Sequence, residues 1–134
     1  MNSIKGKFAL VTGGTQGLGA AIAKNFAENG AEGIITIGRK EEKGKEIAKK
    51  IQDETGCKVI FVKTDLPNVQ ECRNAVLVAK KNFGKLDILV NAAGITDRGN
   101  IVNTSEELFD KMIGTNVKGP FFLIQETVKI MIDQ

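Results

Sequence analysis

The sequence has no histidine and no tyrosine in its 134 residues. Without histidine, the commonest general base near neutral pH and the commonest zinc ligand are both missing. Without tyrosine, any reaction that needs a phenolic proton donor finds none within these residues. Cysteine is nearly absent as well. Cys57 and Cys72 are the only two, and their spacing fits neither a metal site nor a redox pair. They read as free thiols of a reducing compartment, so the expected location is cytoplasmic and no metal is expected. No apolar run approaches the roughly 18 residues of a membrane span, and residues 1–6 carry no apolar signal-peptide core. Charge of neither sign is concentrated. The net value is +3 with acids and bases interspersed, and no aromatic platform accompanies the lysines, which argues against a nucleic-acid partner. Lys7, Lys24, Lys40, Lys43, Lys45, Lys49 and Lys50 read as solvated faces of helices and loops.

What remains is an ordinary globular balance, 42% hydrophobic and 26% charged, in one domain long enough to bury a core. Its organising stretch is residues 12–19, T-G-G-T-Q-G-L-G. This stretch follows the apolar run Phe8-Ala9-Leu10-Val11 and precedes an amphipathic segment from Ala20 to Asn29, so the glycines sit where a strand turns into a helix. Gly13 lets the chain reverse. Gly17 leaves room for a phosphate to approach the backbone, and Gly19 lets the helix pack against the sheet. The N–H groups and positive dipole end of that helix point at the same place. The spacing is G-x-x-x-G-x-G, and no Gly-Lys-Ser/Thr follows, so it is not a P-loop.

Strand and helix signals then alternate. Residues 7–12 form strand 1, and residues 20–29 form a helix with Ala21, Ile22, Phe26 and Ala27 on one face, stopped at Asn29-Gly30. Gly33 to Gly38, G-I-I-T-I-G, is apolar without alternation, as a strand covered on both faces reads. Glu41 to Glu54 is a charged helix burying Ile47, Ala48 and Ile51. Lys58 to Lys63 is strand 3. Asn68 to Phe83 is a helix whose Asn68 and Glu71 form a capping box. Leu86 to Asn91 is strand 4. A second capping box, Thr104-Ser105-Glu106-Glu107, opens a helix that runs towards Gln134. The pattern βαβαβαβ predicts an α/β fold, a Rossmann-like doubly wound parallel sheet with right-handed crossovers and the order 3-2-1-4. The last helix has no stop signal and stays apolar through Ile130-Met131-Ile132, which suggests a larger fold or an associating surface.

With these landmarks in place, the chain resembles the short-chain dehydrogenases/reductases. Four matches occur in order: residues 12–19, Asp65-Leu66 after strand 3, Asn91-Ala92-Ala93-Gly94 after strand 4, and Asn116-Val117-Lys118-Gly119 in the last helix. The resemblance covers essentially all 134 residues. It implies an NAD(P)-binding oxidoreductase whose family members run to about 250 residues as one domain, of which residues 1–134 are the N-terminal half. The implied reaction is hydride transfer between a nicotinamide cofactor and a carbonyl or alcohol, with a 3-oxoacyl thioester or a sugar or polyol as substrate classes. It also implies residue roles. Gly13, Gly17 and Gly19 cradle the pyrophosphate, with Thr15, Gln16 and Leu18 completing the turn and Thr12 steadying it. Asp65 accepts from the adenine amino group, with Leu66 beside the ring. Asn91 ties strand 4 to the neighbouring turn, and Ala92, Ala93 and Gly94 line the ribose side. Asn116 matches the asparagine of the Asn-Ser-Tyr-Lys tetrad. The serine and the Tyr-x-x-x-Lys pair have no counterpart here, so these residues alone are expected not to turn over. A homo-oligomer through the last helix, by way of Phe121, Ile124 and Val128, is the implied assembly. The alternative is a non-catalytic dinucleotide-binding or interaction module.

Strand 2 ends in Gly38-Arg39-Lys40. A cofactor with a free ribose 2′-hydroxyl is usually met here by an acid, and one with a 2′-phosphate by an arginine. Arg39 therefore favours NADP(H) over NAD(H), with Glu41 and Glu42 weighing against. Finally, Pro120 has no N–H to give to the Asn116 carbonyl four residues back, so the last helix is expected to kink there. The freed carbonyl suits an ordered water in a proton relay, or the kink only fits the helix to the sheet.

Overall fold

The computed structural model describes residues 3–97 and 99–134. Strand β1 (Phe8–Thr12) leads into helix α1 (Gly17–Glu28), then β2 (Gly33–Gly38), α2 (Glu41–Thr55), β3 (Lys58–Lys63), α3 (Val69–Phe83) and β4 (Ile88–Val90). Helix α4 (Glu106–Ile113), a π-helical turn (Gly114–Lys118) and α5 (Gly119–Asp133) follow. The strands form one parallel sheet in the order β3-β2-β1-β4. The expected α/β architecture and strand order are those found.

Both faces of the sheet are covered, which is why β2 reads as an uninterrupted apolar run. Leu10, Ile35 and Ile37 pack on one side with Cys72, Val76, Leu123 and Ile130 from α3 and α5. Val11 and Ile34 pack on the other with Ala23, Ala27, Ala48 and Ile51 from α1 and α2. In α1 the buried residues are Gly19, Ala23 and Ala27, while Ala21 is exposed and Ile22 and Phe26 are half-buried. The apolar face is thus rotated from the one expected, because glycine and alanine let α1 sit close to the sheet.

Several boundaries differ from expectation for local reasons. Helix α1 starts at Gly17 rather than Ala20, so two glycines of the motif belong to its first turn. The Asn68 cap is present, with Glu71 N–H donating to Asn68 Oδ1 at 3.1 Å. The Glu71 carboxylate, however, accepts from Asp65 N–H at 2.6 Å, closing a wider loop than a capping box. At α4 the cap is Ser105, accepting from Leu108 N–H at 3.1 Å, and Thr104 instead donates to the Asn100 carbonyl at 2.7 Å. Strand β4 has three residues instead of six. Ahead of it, the side-chain amide of Gln134 takes both backbone groups of Leu86, at 3.1 Å to its N–H and 3.0 Å to its C=O.

The last helix is not one continuous α-helix. Gly119 N–H donates to the Gly114 carbonyl five residues back. Pro120 explains the break, since its ring excludes an α-type bond to the Asn116 carbonyl. The longer turn also brings Gly114 and Gly119 against one loop. A Cβ on Gly114 would stand 2.9 Å from Pro67, and one on Gly119 2.6 Å from the Leu66 carbonyl. Beyond the break, Phe121, Ile124 and Val128 are uncovered at 58%, 48% and 42% exposure.

Strand β4 pairs with β1 alone among the described residues, and an unpaired edge beside an uncovered apolar helix face promotes association. Light scattering on the purified chain is expected to give a mass above the monomer; a monodisperse monomer at micromolar concentration would contradict this.

Candidate active site and cofactor cavity

The carboxyl ends of the parallel strands, where open α/β sheets place their ligands, enclose a cavity of about 270 Å³. Its floor is the turn after β1. Gly13 has φ 72° and Gly17 φ 59°, conformations that favour glycine. The two differ in surroundings. A Cβ on Gly13 would lie 3.2 Å from Ala93, whereas one on Gly17 would meet nothing within 4 Å. Gly13 is therefore a packing glycine and Gly17 an open one. At Gly19 a Cβ would collide with the carbonyls of Thr12 and Gly13. That absence lets the first turn of α1 sit directly on the end of β1. Gln16, at the N-cap of α1, makes no side-chain capping bond, so the first N–H groups of the helix are left for something else.

A second wall comes from the chain after β4. Thr12, 1% exposed, accepts from Ala93 N–H through its Oγ1 at 2.9 Å. This bond joins the glycine turn to the Ala92-Ala93-Gly94 segment. The tie that the resemblance gave to Asn91 is thus carried by Thr12, and Asn91 is exposed and makes no side-chain hydrogen bond among the described residues. The next residue, Ile95, is held from the far side. Asn116 Nδ2 donates to the Ile95 carbonyl at 2.7 Å, and Asn116 Oδ1 accepts from Ile95 N–H at 2.9 Å. The π turn presents Asn116 in this way and places Thr115 on the cavity wall.

The third wall is formed by the ends of β2 and β3. Gly38 lies against Thr15, where a Cβ would approach Thr15 Cγ2 to 2.7 Å, and Arg39 follows it at the rim. Asp65 is exposed; its backbone is fixed by Glu71, and its carboxylate makes no hydrogen bond or ion pair among the described residues. Leu66 is 7% exposed, packs in the core with Leu123 and also lines the cavity. Leu18, 67% exposed, stands at the mouth.

Thirteen of the fifteen expected residues therefore line one cavity: Thr12, Gly13, Thr15, Gln16, Gly17, Leu18, Gly19, Arg39, Asp65, Leu66, Ala92, Ala93 and Gly94. Asn91 and Asn116 are the two that do not. Ile37, Gly38, Thr64, Ile95 and Thr115 line it without having been singled out. Thr64, Ile95 and Thr115 each adjoin a landmark residue, so extending each landmark by one position would have found them.

A family profile described as short chain dehydrogenase matches residues 7–134. The chain belongs to the short-chain dehydrogenase family. It is an oxidoreductase family by the relatives it matches. An uncharacterized oxidoreductase of Thermotoga maritima is 42% identical over 132 residues, which make up 98% of this chain and 51% of that protein. Among solved structures, L-sorbose reductase from Gluconobacter frateurii, complexed with NADPH and L-sorbose, superposes with a TM-score of 0.92 at 30% identity, covering 96% of this chain and 49% of that one. A short chain dehydrogenase from Burkholderia cenocepacia, in complex with NADP, gives 0.89 at 35% identity, covering 96% and 52%. The chain thus spans about half the length of the relatives it matches.

Two substitutions test the joints of this short-chain dehydrogenase cavity. Thr12→Val keeps the shape but strands the Ala93 N–H, and is expected to lower stability by about 1–3 kcal/mol, read as a lower denaturation midpoint at unchanged slope. Asn116→Ala releases both backbone groups of Ile95. Hydrogen exchange at the Ile95 amide should accelerate while the β1 and β2 amides keep their protection; unchanged exchange at Ile95 would contradict the role.

Proposed function

We propose that the chain is the cofactor-binding N-terminal half of an NADP(H)-dependent short-chain dehydrogenase/reductase acting on a small carbonyl or alcohol. The observation that carries this reading is Gly17. It combines a left-handed backbone with open space where a side chain would stand, as the first residue of a helix whose N-cap, Gln16, makes no side-chain capping bond. A phosphate fits that space and meets the free N–H groups and the positive end of the helix dipole. Gly19 keeps the helix start at the strand end, and Thr12 keeps the Ala93 wall beside it. The free carboxylate of Asp65 is suited to accept from an adenine amino group. Arg39, which follows Gly38 in the cavity lining, is suited to pair with a ribose 2′-phosphate. Asn116 contributes by fixing the Ile95 segment on the other side of the cavity.

Once bound, the nicotinamide supplies the hydride donor or acceptor. Proton delivery to a carbonyl oxygen needs an acid, and the 134 residues contain no tyrosine to serve as one. The reading therefore places the serine and the Tyr-x-x-x-Lys pair outside residues 1–134, and these residues alone bind without turning over. The solved relatives bound to NADPH and NADP support the phosphorylated cofactor. The relative bound to L-sorbose supports a sugar or polyol as the substrate class; a 3-oxoacyl thioester is the other class proposed. The apolar face of Phe121, Ile124 and Val128 is the proposed contact between copies.

The test is calorimetric titration with NADPH and NADH. Arg39→Asp is expected to weaken NADPH binding by at least about tenfold, as loss of a charge-assisted bidentate contact and gain of a repulsive carboxylate would do, with NADH little changed. Equal weakening of both cofactors would overturn the assignment of Arg39 to the 2′-phosphate.

A further inference from the structure

Lys43 reads in the sequence as one more solvated lysine, but the fold sets it against the cofactor cavity. It lies in the first turn of α2, which begins at Glu41. From there its Nζ reaches back to the glycine turn and donates to Gln16 Oε1 at 3.3 Å. Gln16 lines the cavity, and so does Arg39. The segments carrying them are in contact, since Gly38 packs against Thr15. Arg39 and Gln16 therefore line the same cavity, and Lys43 is tied to it through Gln16.

An ammonium resting on an amide oxygen in solvent is held weakly, because water replaces that bond at little cost. A phosphate monoester at the rim would draw Lys43 away from Gln16 and also meet Arg39. A hydroxyl in the same place would gain little from either cation. The nearby acids do not cancel this. Glu41 is engaged by Lys45, with Oε1 2.9 Å from Nζ, and the lysine holds its carboxyl below the usual glutamate range. Glu42, Glu46 on the same helix and Asp65 in the cavity lining are the acids of this region without an ion pair among the described residues. The start of α2, where Lys40 provides no side-chain cap, adds its positive dipole end to the same side.

We propose that Lys43 is a second determinant of specificity for the 2′-phosphate, kept beside the cavity by Gln16 until the phosphate arrives. This rests on the reading of the cavity as an NADP(H) site. The experiment titrates the wild type, Lys43→Ala, Lys43→Arg and Lys50→Ala with NADPH, NADH, adenosine 2′,5′-bisphosphate and ADP at several salt concentrations. Lys43→Ala should raise the dissociation constants for NADPH and the 2′,5′-bisphosphate about fivefold, the scale of one exposed charge-assisted contact. NADH and ADP should be unaffected, and the salt dependence of NADPH binding should become shallower. Lys43→Arg should restore binding, and Lys50→Ala should change nothing. A wild type selective for NADPH whose selectivity survives Lys43→Ala would overturn this proposal alone. A wild type that binds NADPH and NADH equally would overturn it together with the NADP(H) reading.

Discussion

The missing side chain at Gly19 is the constraint on which the cavity depends. The first turn of α1 rests against the carbonyls of Thr12 and Gly13, and even a methyl group would not fit between them. This contact brings the helix start to the end of β1. Thr12 can then reach the Ala93 N–H from within the same turn, and the walls from β2 and β4 close around one centre. If α1 were lifted by an ångström or two, the N–H groups of its first turn would no longer face the space beside Gly17. Anion sites at helix starts depend on the orientation of backbone N–H groups, so such a shift would remove that geometry.

The general plan was legible in the sequence because each level agreed with the others. The buried run of β2, the alternation of strands and helices, and glycines at a strand-to-helix junction all point to one parallel sheet. The cavity walls were legible for the same reason, since they lie at strand ends and those ends were marked. Asn91 is the informative exception. Its position after β4 was identified, but which side chain spans the gap to the glycine turn depends on the rotation of β4 against β1. In the structure Val11 pairs with Val90, and Thr12 Oγ1 is the atom that meets the Ala93 N–H. The rotated face of α1 has a similar origin. Ala21 and Ala23 are the same residue type, and only the approach permitted by Gly19 decides which is buried.

The last helix shows a local signal giving part of an answer. Pro120 announces a break, but a proline alone does not say whether the helix bends, unwinds or takes a longer turn. The choice of a π turn follows from Gly114 and Gly119. Both must face the Leu66-Pro67 loop, and five residues of ordinary α-helix would point them in different directions. The turn that accommodates both glycines also directs Asn116 at Ile95. The Leu66-Pro67 loop and the wall beneath Ile95 are thus connected through one irregular turn of backbone, a common placement for π segments near functional sites.

The paired hydrogen bonds between Gln134 and Leu86 also affect the open side of the sheet. Asp87 N–H faces β1, donating to the Phe8 carbonyl at 2.9 Å, so by the alternation of a strand the peptide groups of Leu86 face the other way. There the glutamine amide, with one donor and one acceptor, imitates a single peptide of an adjoining strand. The first rung of the ladder on that side is therefore already filled. Any strand docking alongside β4 must find its register from Ile88 onward, and the side chain that caps the end of α5 has set where that strand begins.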